Sequence, residues 1–249
     1  SSDVCSSDLL GICASIKHKY QVDTVPHLIC GGFSKEETEN ALIDLQFLGI
    51  DNVLALRGDS IKTEATFRPH KDGHKYAVEL IQQIGEMNHG TYMMDDIQLE
   101  PTDFCIGTAG YPEKHFEAMN MTTDLQYLKA KVDAGADYIV TQMFFDNQKY
   151  FDFVAACREI GINVPIIPGL KPIKTMDHIT FLPKFFKIDY PEALSNELLK
   201  CKDNKQVEQL GIEWGIQQSK ELKEAGAPCI HYYTMSNSSM VKAIAKEIF

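Results

Sequence analysis

Basic residues are in short supply in this chain. It has 24 Lys and Arg against 35 Asp and Glu, for a net charge of −11 over 249 residues. No Lys/Arg run breaks that balance, which disfavours nucleic acid and anionic membranes as partners. Any anionic ligand must then be met by a few placed cations. No apolar run is long enough to span a bilayer, and no secretory leader is evident. The seven cysteines are scattered at positions 5, 13, 30, 105, 157, 201 and 229, without a CxxC or CxH pair. That spacing argues against a zinc site and a disulfide framework, and fits a reducing cytoplasm. No GxGxxG follows an apolar run, which disfavours a Rossmann site.

What the chain does have is alternation. Asn52 to Ser60 reads NVLALRGDS, an apolar run that passes directly into Arg57, Gly58 and Asp59. Such a run is typical of a parallel strand buried on both faces, and the polar residues after it fall at the C-terminal rim. A solvated turn fits that stretch equally well on its own. Ser34 to Leu48 predicts a helix opened by a Ser34/Glu37 capping box and ended at Gly49. Helices are also expected at 10–20, 75–87, 123–134 (opened by Thr123 with Gln126), 147–160 and 204–225, and from about Ser238. Strands are expected at 24–30, 103–110, 138–145, 164–170 and 229–235. A glycine closes a helix and a buried strand begins shortly afterwards at Gly49, Gly135, Gly161 and Gly226. This pattern predicts an α/β fold of the (β/α)8 TIM barrel type, with six of its eight strands present. Residues 1–9, SSDVCSSDL, read as a non-native scar. Residues 10–249 read as a single barrel domain lacking its first two strands.

Polar residues at the strand ends form a candidate site. They are His27, Arg57, Asp59, Tyr111, His115, Gln142, Asp146, Lys171, His231 and Tyr233. Gln142 stands in an otherwise apolar run, where its amide needs partners. A heteroaromatic ligand or the backbone could supply them. On helix 123–134, Asp124, Tyr127 and Lys131 make one polar stripe beside Leu125, Leu128 and Val132. A solvated flank would look the same. His27, His115 and His231 could be read as a barrel-hydrolase metal site, but no HxH pair follows an early strand, and no metal is expected.

At ALRGD, GYPEKH, LKAKVDAGAD and IVTQMFFD the chain resembles the methylenetetrahydrofolate reductase family, with the motifs in the family's order. The resemblance implies an FAD-binding barrel that reduces 5,10-methylenetetrahydrofolate to 5-methyltetrahydrofolate with a hydride from NAD(P)H, in one-carbon metabolism leading to methionine. It implies FAD contacts at His27, Arg57, Gly58, Asp59, Tyr76, Ala77, Tyr111, His115, Ala118, Asp124, Tyr127, Lys131 and Tyr233. Asp59 would be catalytic, facing flavin and pterin, and Gln142 would bind the pterin. His178 and Leu182 fall where bacterial members place a glutamine and a phenylalanine against the substrate. Ala130 and Asn237 stand where some members carry basic residues.

No stretch matches the family's first strand, FEFFPP, whose glutamate is its acid, or the threonine-tyrosine segment of the second. Activity of this exact chain is therefore expected to be impaired, and a catalytically inactive flavin-binding fragment is the alternative. A different FAD-dependent barrel oxidoreductase fits TQMFFD and GYPEKH less well. No regulatory domain of the animal type is present, so a bacterial-type enzyme is expected, homo-oligomeric when complete.

Overall fold

The Ser34 hydroxyl accepts the Glu37 N–H at 3.1 Å, and the Glu37 carboxylate accepts the Ser34 N–H at 2.8 Å. This is the reciprocal cap expected from the sequence, and helix α2 (Lys35–Phe47) starts on it. The computed structural model describes residues 6–58, 67–93, 99–235 and 237–249. Before α2 come α1 (Ser6–Tyr20) and β1 (His27–Ile29). After it follow β2 (Asn52–Leu56), α3 (Ala77–Asn88), β3 (Cys105–Gly110), α4 (Met121–Asp133), β4 (Tyr138–Thr141) and α5 (Asn147–Glu159). The remaining elements are β5 (Ile166–Ile167), β6 (Gly169–Leu170), α6 (Met176–Phe186), α7 (Glu192–Leu198), α8 (Asn204–Glu224), β7 (His231–Tyr232) and α9 (Ser239–Ile248).

The chain divides into two compact units. The first runs to Ala109 and includes Ala130–Tyr138, and the second comprises Gly110–Lys129 and Ile139–Phe249. In the first, β1 pairs parallel with β2 in the register His27 to Leu54, and β2 pairs parallel with β3 in the register Val53 to Ile106. Its core gathers Leu42, Leu45, Val53, Ile81, Ile84 and Ile106 from the two helix faces and the sheet. In the second, Met143, Phe145, Ile173, Leu182, Leu194 and Val207 pack together.

Six strand positions are found among the described residues, as the sequence implies, but two differ in detail. The expected strand 164–170 is split at Pro168. Ile166 and Ile167 pair with Ile139 and Val140, whereas Gly169 and Leu170 pair with His231 and Tyr232. Proline has no N–H to give a ladder, so the chain changes partner there. The expected strand 138–145 stops at Thr141, so Gln142 stands just past the strand end. Helix α4 begins before Thr123, because the Asn120 side chain accepts both the N–H and the hydroxyl of Thr123 at 2.9 and 3.1 Å. Glycines 49, 135, 161 and 226 all take positive φ, closing their helices as the repeated junction requires.

Candidate functional site

In the first unit, β2 delivers Arg57 and Gly58 to its C-terminal end. The Arg57 guanidinium carbon lies 5.2 Å from the centre of the Phe67 ring, a cation–π contact that orients the fork. Gly58 has φ +89°, and a Cβ there would meet Ile29 of the neighbouring strand at 3.3 Å. Both facts favour glycine at this turn. The Cys30 N–H is shared between the carbonyls of Leu56 and Arg57, at 3.2 Å each, which binds the end of β1 to this turn. The Cys30 thiol is pushed up to about 12 by burial, with Glu79 adding to the effect and Arg57 opposing it. That thiol stays protonated at neutral pH. His27 keeps accessible surface, yet desolvation of its ring holds its pKa below the ordinary value.

Tyr76 precedes α3 and is 47% exposed. The Glu79 carboxylate accepts the backbone N–H groups of Lys75 and Tyr76 at 2.6 and 3.3 Å, which fixes the start of the helix at Ala77. The Lys131 ammonium donates to the Ala109 carbonyl near the end of β3. Asp59 lies outside the described residues.

In the second unit the turn after β3 is knotted by its own side chains. The His115 N–H donates to the Asp124 carboxylate at 2.8 Å. The Lys114 ammonium caps the carbonyls of His115 and Ala118 at 2.9 and 2.7 Å. The Tyr111 and His115 rings meet edge to face with centroids 4.6 Å apart. Ala118 is buried, while Tyr127 is 61% exposed on the polar stripe of α4. Gln142 gives its N–H to Gly110 at 2.8 Å, and its side-chain oxygen accepts the Met143 N–H at 2.9 Å. Part of its amide requirement is thus met by backbone. The Tyr233 hydroxyl donates to the Thr141 carbonyl at 2.8 Å, and burial holds its pKa above the ordinary phenol value.

Leu182 departs from the sequence expectation. It is fully buried in the core with Met143, Phe145 and Ile173, which leaves no surface for a ligand. Its neighbour Phe181 is 47% exposed and stacks on Phe185 with centroids 5.2 Å apart. The helical period turns one of two adjacent residues inward, and leucine takes the inner place. His178 sits on the first turn of α6, its Nδ1 accepting the Lys174 N–H at 3.2 Å.

Sequence reasoning missed Glu113, in the middle of GYPEKH. One of its carboxylate oxygens accepts the Asp189 N–H at 3.0 Å, and the other is buried without a hydrogen-bond partner. Burial, with Asp189 and Asp146 adding to it, pushes its pKa up to about 7 against the opposing hydrogen bond and Lys149. No periodicity marks a carboxylate in a polar loop as buried. Among the described residues, no group of three or more His, Cys, Asp or Glu is placed to hold a metal ion. No helix among them is long and apolar enough to cross a membrane.

A family model described as methylenetetrahydrofolate reductase matches residues 5–248. The chain belongs to the methylenetetrahydrofolate reductase family. It is 35% identical over 245 residues to methylenetetrahydrofolate reductase 1 of Schizosaccharomyces pombe, covering 98% of this chain and 38% of that protein. It is 28% identical over 236 residues to 5,10-methylenetetrahydrofolate reductase of Pectobacterium carotovorum, covering 94% of this chain and 72% of that one. The chain thus spans well under half the length of the fungal relative. A solved structure of an uncharacterized Clostridium thermocellum protein, which binds two copies of 5-methyl-5,6,7,8-tetrahydrofolic acid, superposes with a TM-score of 0.54. It is 17% identical and covers 94% of this chain and 76% of that one. Fold class and family therefore agree: the chain is an α/β protein of the barrel type seen in this reductase family.

Proposed function

We propose that the protein reduces 5,10-methylenetetrahydrofolate to 5-methyltetrahydrofolate, with FAD as its cofactor and NAD(P)H as hydride donor. The observation that carries this reading is the GYPEKH turn, tied by the His115 N–H to the Asp124 carboxylate at the start of the polar stripe of α4. The donor set suits a dinucleotide cofactor. Arg57 and Lys131 in the first unit and His115 in the second are, each by itself, the kind of cationic or hydrogen-bonding group that a pyrophosphate needs in an acidic chain. The Asp124 carboxylate suits ribose hydroxyls, and exposed Tyr76 and Tyr127 offer ring faces. Gly58 keeps the turn after β2 free of a side chain.

When bound, FAD would relay the hydride from the reduced nicotinamide to the folate. The chain's own part is to bind and orient. The Gln142 amide, just past β4, would turn toward the pterin edge, and Asp59 would place a negative charge beside the carbon that accepts the hydride. Tyr111 and His115, held edge to face, would keep the cofactor's position fixed between the two half-reactions. The family resemblance would add cofactor contacts from His27 and Ala77 in the first unit and from Ala118 and Tyr233 in the second, and Phe181 rather than Leu182 offers aromatic surface on α6.

Titrating the purified chain with FAD and following flavin fluorescence tests this directly. Stoichiometric quenching, followed by bleaching on NADH or NADPH addition, is the expected result, with recovery on methylenetetrahydrofolate addition slow because no stretch of the chain matches the strand that carries the family's acid. A chain that binds no flavin would overturn the reading. Flavin binding without recovery by folate would restrict it to cofactor capture.

A further inference from the structure

Strand β4 ends at Thr141 and α5 begins at Asn147, so the residues between them belong to neither a ladder nor a helix. Met143, Phe144 and Phe145 are nevertheless buried, and their backbone polar groups need partners. The Gln142 N–H reaches the Gly110 carbonyl at 2.8 Å, and the Met143 N–H is taken by the Gln142 side-chain oxygen at 2.9 Å. Two of the carbonyls are met from α8. The Trp214 indole N–H donates to the Phe145 carbonyl at 3.1 Å. The Gln218 amide nitrogen reaches the Phe144 carbonyl at 3.4 Å and the Asn147 Oδ1 at 3.2 Å. Asn147 answers with its own amide, which donates to the Gln218 carbonyl at 3.2 Å and to the Glu221 carboxylate at 2.7 Å.

Trp214, Gln218 and Glu221 stand at i, i+4 and i+7, on one face of the helix. Asn147 is 5% exposed and Gln218 6%, so water does not readily replace either amide. The helix itself is closely seated. A Cβ on Gly211 would run into the Ile173 carbonyl, and one on Gly215 would meet the Ile244 side chain at 2.6 Å. A helix pressed in at both glycines holds its donors at a fixed distance from the segment. The Gln142 side chain, in contrast, is folded back on the N–H of the next residue. To turn outward it must release that bond, and the backbone then keeps its place through the carbonyls that α8 holds.

We propose that Trp214, Gln218 and Glu221 are positioning residues, which keep the backbone of residues 142–147 still while the Gln142 side chain turns from the Met143 N–H to the pterin ring of a folate. The pterin rests on the function proposed above. The hold of α8 on the segment rests on its own hydrogen bonds.

Amide exchange on the full chain tests that hold without any ligand. Gln218→Met matches the native side chain in length and loses its donors, and Trp214→Phe keeps a ring and loses the N–H. In both, the Gln142 and Met143 amides should exchange about tenfold faster relative to Ile139 in β4, whose N–H bonds the Pro165 carbonyl. Leu222→Ala, which empties core volume on the same helix, controls for plain destabilisation and should speed all three amides alike. A Gln142 and Met143 response no greater than that of Ile139 in Gln218→Met and Trp214→Phe would overturn the hold.

A double-substitution cycle then reads the link to Gln142, with tetrahydrofolate titrated onto the FAD-loaded chain. Gln218→Met should weaken tetrahydrofolate by about tenfold. In a Gln142→Ala background the same substitution should add less than about twofold, because the side chain it positions is gone. A residue that served stability alone would cost the same in both backgrounds, and that result would overturn the positioning role, as would an unchanged affinity in Gln218→Met. A native chain that binds FAD but no tetrahydrofolate would refute the proposed function, and the exchange comparison would still decide whether α8 holds the segment.

Discussion

The His115 N–H and the Asp124 carboxylate are joined at 2.8 Å across nine residues of chain. The bond pulls the turn after β3 onto the first turn of α4. A carboxylate there is doubly favoured, by the amide it accepts and by the positive end of the helix. Asp124→Ala should therefore lower stability by roughly 1.5–3 kcal/mol, the range for hydrogen bonds to charged groups. It should also weaken FAD binding, because the turn that carries Tyr111 and His115 loosens. Urea unfolding and flavin fluorescence measure the two effects. An unchanged urea midpoint would mean that the turn is held by the Lys114 caps instead.

Arg57 should matter through its charge more than through its packing. Arg57→Ala removes both the guanidinium and the contact with Phe67, whereas Phe67→Leu removes only the contact. Loss of a charge-assisted phosphate bond should weaken FAD binding by about tenfold or more, and loss of the cation–π contact by less. If both variants release flavin equally, the ring rather than the charge holds the cofactor.

These two residues also mark how far the sequence could be read. Arg57 after an apolar run, the Ser34/Glu37 cap and the four junction glycines are local signals, because each depends on neighbours within a few positions. The structure reproduces them with little change. The split at Pro168 follows from proline's missing N–H, but which strand each half pairs with is a long-range choice that no local pattern encodes. Leu182 and Phe181 show another limit. Both are apolar, and only the packing of α6 decides which one turns inward. Glu113 shows a third, since a glutamate flanked by proline and lysine reads as solvated until the chain around Asp189 covers it.

Glu113 gives the stability of the protein a pH dependence of predictable sign. Its pKa in the folded protein is about 7, above the ordinary 4.5 expected when unfolded. The folded state thus holds the proton more tightly, and the contribution is fully present below about 4.5. It is lost as pH rises toward and through about 7 and is flat beyond that. Glu113→Gln keeps the shape and cannot ionise. At pH 8 it should be more stable than the native protein by on the order of 2 kcal/mol, with the gap closing at acidic pH. Melting curves of both proteins across that range measure the gap. A gap independent of pH would mean the buried oxygen is satisfied by solvent.

The Asn88 side chain ties the end of α3 to the approach to β3 with three hydrogen bonds. Its amide nitrogen donates to the Phe104 carbonyl at 2.9 Å, and its oxygen accepts the Thr102 hydroxyl at 2.6 Å and the Phe104 N–H at 2.9 Å. One side chain at the end of α3 thus satisfies both backbone groups of Phe104, the residue that leads into β3. Phe104 is 4% exposed, so water cannot easily replace a lost partner. Asn88→Ala should then cost about 2–4 kcal/mol, since two buried backbone groups lose their bonds together. Asn88→Asp keeps the acceptor for the Phe104 N–H but sets a carboxylate oxygen against the Phe104 carbonyl. It should fall between the two, closer to alanine. Amide exchange at Phe104 separates this from a general loss of stability. In Asn88→Ala that amide should exchange faster than its neighbours in β3, and in Asn88→Asp it should remain protected. If Phe104 exchanges at the same rate in both variants, the backbone of β3 alone holds it, and Asn88 serves only to end the helix.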